Sequence, residues 1–133
     1  MKLPKLKYYY HAMTSDEYIA FAQSRKLEVT RTLLVHFETG AVSGRTRLIL
    51  TAGAVSADEQ FRQANNSYTL PVYVLRIPNT LVDRRCLSEI EPNIYAYNSR
   101  LVVPQCGVER IEYDPESAAS STKVIDTAEL KHI

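Results

Sequence analysis

Residues 7–18 read KYYYHAMTSDEY, and two periodicities meet within them. The run from Leu6 to Ala12 is rich in tyrosine, which suits a pleated, half-buried surface and predicts a first strand. Tyr8 and Tyr10 then face one way and Tyr9 and His11 the other, so one face is expected in a core and the other toward a cleft. Thr14 and Glu17 have capping-box spacing, in which hydroxyl and carboxylate each satisfy an orphan amide at a helix start. Tyr18, Ile19, Phe21 and Ala22 give that helix an apolar face, and Arg25 and Lys26 suit the negative end of its dipole. His11 stands at the junction. It reads either as a core or edge histidine bonded to backbone, or as a ring offered to a ligand beside a helix N-terminus that favours anions. Thr14 and Ser15 read first as caps.

Working outward, Leu27 to Thr30 and Thr32 to Phe37 are short β-rich runs, followed by an expected loop, ETGAVSGRT, at 38–46. Arg47 to Thr51 predicts a short apolar strand, and Ser56 to Glu59 a second capping box opening a short helix through about Ala64. ANNSY at 64–68 is turn chemistry. Leu70 to Ile77, valine-rich and holding Pro71, with Pro78 next, is the strongest strand signal in the chain. Residues 78–98 carry little periodicity. RLVVP at 100–104 and VERIEY at 108–113 predict two more strands. From Asp114 the apolar content falls, so the expected organisation is one domain over 1–113 and a flexible or loosely docked tail over 114–133, in which VIDTAELKHI has the composition for one short element. Strands without regular βαβ alternation, with two helices inserted early, make an α+β class.

The chain of 133 residues, with 45% hydrophobic and 23% charged residues, has the material for one packed core. A net charge of +1 gives no overall field toward nucleic acid or an anionic membrane. Local basic clusters (Lys2, Lys5 and Lys7; Arg45 and Arg47; Arg84 and Arg85) read first as solvated surface. Cys86 and Cys106 form no Cys-x-x-Cys motif, and His11, His36 and His132 lack zinc-ligand spacing, so no metal site is expected. The cysteines read most simply as a reduced pair. No apolar signal region and no membrane-length run are present, which points to a cytoplasmic protein. There is no P-loop and no dinucleotide or hydrolase-elbow glycine motif.

YYYHAMTSDEYIAFAQSRKLEV resembles the opening of the ADP-ribosyltransferase-like fold, in which a strand ends in a Tyr-His pair, a Thr or Ser follows, and a helix leads to a second strand. RLILTAGAVSADEQFRQA is similar to that family's second motif, LPVYVLRIPNTLV to the strand after it, and SRLVVPQCGVERIEY to its last two strands. The resemblance covers about residues 7–113. It is nearest to the branch containing DNA-targeting ADP-ribosyltransferase toxins and RNA 2'-phosphotransferases.

The resemblance implies a small split β-sheet core with two short helices, binding NAD as substrate and transferring from it to a macromolecular acceptor, protein or nucleic acid. By position, His11 with the adjoining Ala12 meets the nicotinamide riboside, Thr14 lies toward the adenosine side, Thr51 lines the nicotinamide pocket, and Arg47 meets a phosphate or the acceptor. The family's transferases place a glutamate at the strand that here begins NSRLVVP, where this chain has Asn98, Ser99 and Arg100. A carboxylate stabilises the oxocarbenium-like centre, which a guanidinium does not do in the same way. Either Glu89, Glu91 or Glu109 serves instead, or Arg100 binds phosphate in a different reaction, or the chain is a non-catalytic binding or inhibitor protein. A nucleic-acid-binding module, with tyrosines as stacking platforms, is a further alternative.

Overall fold

The computed structural model describes residues 6–28, 30–35, 42–65, 71–114 and 119–125; within these, the side chains of 30–35, 42–47, 64–65, 113–114 and 119–125 lie outside the description. The architecture is mixed α+β with an antiparallel sheet and two α-helices among the described residues. The elements are β1 (Tyr8–Met13), α1 (Ser15–Ser24), β2 (Lys26–Leu27), β3 (Thr30–Val35), β4 (Val42–Thr51), α2 (Ala54–Asn65), β5 (Val72–Pro78), β6 (Leu87–Glu91), β7 (Ile94–Tyr97), β8 (Leu101–Val102), β9 (Gly107–Asp114) and β10 (Ala119–Ile125). The main sheet runs β10-β9-β5-β1-β4-β7-β6, with β3 on the first half of β4. β2 and β8 form a separate small ribbon.

Side-chain alternation along β1 sorts two cores. Tyr9 and Met13 join Leu75, Ile77 and Val108 with Tyr18 and Phe21 of α1 on one face. Tyr10 and Ala12 pack on Val72, Val74 and Ile111 with Ala57 and Phe61 of α2 on the other. The expectation of one core face and one open face therefore gives way: each face is covered by its own helix.

Where α1 begins, the sequence reading holds in detail. Thr14 Oγ1 accepts from the Glu17 amide at 3.1 Å and Glu17 Oε1 accepts from the Thr14 amide at 3.1 Å, a cap of about 1 kcal/mol. α1 stops at Arg25, whose φ of 58° is left-handed. That residue is held there by its amide bond to Phe21, by its carbonyl accepting from Val103, and by its guanidinium, which donates to the Pro104 carbonyl at 2.8 Å.

Several boundaries differ from the sequence reading. α2 starts at Ala54, two residues before the expected capping box, because the Ala57 amide already bonds the Gly53 carbonyl. Ser56 thus lies inside the first turn. Residues 42–46, expected in a loop, extend β4 because they pair with β3, Gly44 opposite Leu33. The ambiguous stretch 78–98 holds two short 3₁₀ turns, Asn79–Leu81 and Arg84–Cys86, and a β6–β7 hairpin whose turn uses Asn93 at φ 69°. Within the stretch read as a tail, Ala119–Ile125 is an edge strand on β9. Residues 66–68 of the expected turn, Leu70 at the start of the expected strand, and 115–118 and 126–133 of the expected tail lie outside the described residues.

Beneath α2 lies a feature the sequence reading did not single out. Arg62, 2% exposed, donates from Nε to Asp58 Oδ1 at 2.7 Å and from Nη2 to the Ile111 carbonyl at 2.8 Å. One helical turn separates the pair, so its i,i+4 spacing was visible; its burial was not. Burial pushes the Asp58 carboxyl up and the Arg62 charge opposes that.

Candidate functional site: an opening between β1 and β4

β1 is bonded very differently on its two sides. Toward β5 all six of its residues have partners, from Tyr8 opposite Pro78 to Met13 opposite Tyr73. Toward β4 it has one, Tyr10 opposite Thr51. Beyond that bridge no further residue pair joins the two strands, while residues 48–51 of β4 stay paired to β7 on the far side.

The ring of His11 takes up the slack. Its Nδ1 lies 2.8 Å from the Ile49 carbonyl oxygen, so the ring supplies the bond that a continued ladder would have given that group. A carbonyl only accepts, so Nδ1 carries the proton and Nε2 is the bare nitrogen of the neutral ring. Nε2 makes no hydrogen bond to a described residue, and it is not among the sealed polar atoms. It remains an accessible acceptor. Burial pulls the His11 pKa below its ordinary 6.5, while the bond to Ile49 and the charge of Glu17 act upward. The ring is neutral at pH 7.

The other predicted residues occupy distinct places. Thr51 stands directly opposite Tyr10, so its side chain shares the α2 face, whereas His11 belongs to the alternate set. Thr51 is 1% exposed and its hydroxyl donates to the Gly53 carbonyl at 2.8 Å, holding the turn into α2. Thr14 is the α1 cap, and Ala12 packs toward α2. Arg47 pairs through its backbone with Thr30, and its side chain lies outside the described residues. Arg100 precedes β8, is exposed, and stands 3.8 Å from Glu28 in a surface pair. The structure thus brings His11 to the opening and leaves Thr14, Thr51 and Arg100 engaged elsewhere.

None of the glutamates named as substitutes faces His11. Glu89 and Glu91 are on β6, three strands from β1, roughly 14 Å at ordinary strand spacing. Glu109 is opposite Val74, on the α2 face. The carboxylate whose charge reaches His11 is Glu17, already bonded to the Thr14 amide. The capping-box spacing locates Glu17 at the helix start; its closeness to His11 depends on how tightly the chain turns from β1 into α1.

Among the described residues there is no cluster of metal-ligating side chains, and no helix is long and apolar enough to cross a membrane. Cys86 and Cys106 are free thiols. Comparison with protein-family models, with curated proteins and with solved structures finds no match.

Proposed function

We propose that the chain is an ADP-ribosyltransferase-like protein that binds NAD at the opening between β1 and β4 and acts on a macromolecular acceptor. The observation that carries this reading is the parting of the two strands at Tyr10–Thr51 with a neutral, backbone-anchored His11 in the gap. Anchoring through Nδ1 fixes the ring orientation and presents Nε2 as an acceptor, suited to a carboxamide N–H or a ribose hydroxyl. The α1 N-terminus, three residues on, is closed by its own capping box and carries Asp16 and Glu17 in its first turn, so the reading rests on His11 rather than on the helix dipole.

A melting experiment tests it. Millimolar NAD is expected to raise the midpoint, and His11→Ala to remove that rise; an unmoved midpoint rejects NAD binding. Release of nicotinamide on incubation with NAD then separates a transferase from a binder. The second reading, a non-catalytic binding or inhibitor protein, is favoured by Arg100 standing in a surface pair where the family has its glutamate, and by the absence of a replacement facing His11. It expects one stoichiometric partner in a pull-down that His11→Ala leaves bound.

A further inference from the structure

The bond that holds the His11 ring also fixes what the ring can recognise. Nδ1 sits 2.8 Å from the Ile49 carbonyl oxygen and must carry the proton there, which leaves Nε2 a lone pair and no hydrogen. The other neutral tautomer would set the Nδ1 lone pair against that carbonyl. The ring therefore cannot offer a donor at Nε2 without giving up its anchor.

The charge beside the ring acts in the same sense. Glu17 is the side chain whose charge reaches His11. It is kept close by its own cap, since Oε1 accepts from the Thr14 amide at 3.1 Å, three residues along the chain from His11. Asp16 accompanies it in the first turn of α1. Two full negative charges outweigh the roughly half positive charge that a helix N-terminus contributes. A lone pair in a negative field selects a ligand group that donates hydrogen bonds and bears no negative charge.

We propose that the opening is selective for the carboxamide form of a pyridine dinucleotide, an inference that rests on the NAD reading of the same site: an amide N–H donates to His11 Nε2, and Glu17 turns away the nicotinic acid form. A carboxylate has no hydrogen for Nε2, and its charge meets that of Glu17. Glu17 thus both closes α1 and sets specificity through its field.

The test is direct binding to the full chain by titration calorimetry at fixed ionic strength and about pH 7.5, where the ring is neutral. Three dinucleotides of one shape are compared: NAD, its acetylpyridine analogue and its nicotinic acid analogue. They share adenine, both riboses and the diphosphate. The acetyl group keeps the carbonyl and loses the N–H donors, whereas the carboxylate loses the donors and adds a charge. The acetylpyridine analogue is expected to bind about three- to tenfold more weakly than NAD, the cost of one neutral hydrogen bond. The nicotinic acid analogue is expected to be weaker again by about threefold, a modest step because Glu17 is exposed and screened.

Glu17→Gln keeps a side chain that serves in a capping box. It is expected to bring the two analogues within about twofold of each other, while the ratio of NAD to the acetylpyridine analogue stays as in wild type. A loss of helix stability alone would move all three affinities together. Equal wild-type affinity for all three would overturn the proposal and leave the NAD reading standing, with Nε2 meeting a ribose hydroxyl instead. Binding of none would overturn both. An unchanged gap between the two analogues in Glu17→Gln would overturn the role given to Glu17.

Discussion

One strand, β1, has a closed side and an open one. Its ladder with β5 engages every residue, and behind it Leu75 and Val108 continue the row that starts at His11. Its side toward β4 has a single bridge and then a gap spanned by a side chain. The backbone groups along the closed side are satisfied by their neighbours and have nothing left to offer a ligand. On the open side, satisfying the Ile49 carbonyl with a side chain fixes the ring and leaves its second nitrogen accessible. A functional reading therefore attaches to the open side by the arithmetic of hydrogen bonds, before any resemblance is considered.

The contrast is broken most severely on the closed side. Leu75 is fully buried directly between His11 and Val108. Leu75→Ala is expected to lower the unfolding free energy by about 3 kcal/mol in urea, the usual range for a large-to-small core change being roughly 2–5 kcal/mol. A loss under 1 kcal/mol would mean that the β5 side is not the rigid partner described here.

On the open side the expected effect is smaller and depends on pH. His11→Ala leaves the Ile49 carbonyl without its ring partner, a cost of about 1–2 kcal/mol where water does not reach the vacated space. Because burial holds the folded pKa below 6.5, the unfolded chain takes up the proton first. The stability contributed by neutral His11 is thus fully present above pH 6.5 and is lost as pH falls through 6.5 toward the folded value. Wild type is expected to lose stability between pH 7.5 and 5.5 more steeply than His11→Gln. Asp58, with its pKa raised by burial, acts in the opposite sense at lower pH and is common to both proteins. Parallel curves would mean that His11 titrates as it does in the unfolded chain, and that the ring is not held in the gap.

Much of the closed side was legible in the sequence. Tyrosine alternation and the Val-rich run predict β1 and β5 directly, and the Thr14–Glu17 spacing predicts the cap at atomic detail. The open side was legible only as a residue. His11 stands out at a strand–helix junction, but whether β1 and β4 zip or part is a matter of tertiary register that no local pattern encodes. Thr51 shows the same limit: its strand was predicted, yet its opposition to Tyr10 sets its face. Strands with weak local signals escaped for a related reason. The polar ASSTKVI of β10 and the glycine-containing start of β4 carry weak β signals, and each becomes a strand because a neighbour offers a row of amides and carbonyls.

The smallest expected effect bears on the residue where the resemblance and the geometry diverge. Arg100 and Glu28 are each more than half exposed and 3.8 Å apart, so solvent screens the pair and its worth is within about 0.5 kcal/mol. Arg100→Ala should leave the urea midpoint nearly unchanged, and raising the salt concentration in wild type should mimic whatever change remains. The same variant separates the two roles open to this residue. If Arg100 only holds β8 against the segment after β2, the NAD-dependent rise in melting midpoint survives in full. If that rise shrinks while the ligand-free midpoint stays fixed, Arg100 reaches the bound dinucleotide after leaving Glu28. The open side would then extend from the β1–β4 gap to the β2–β8 ribbon, and its cationic contact would come from a surface residue that the ligand-free fold keeps occupied.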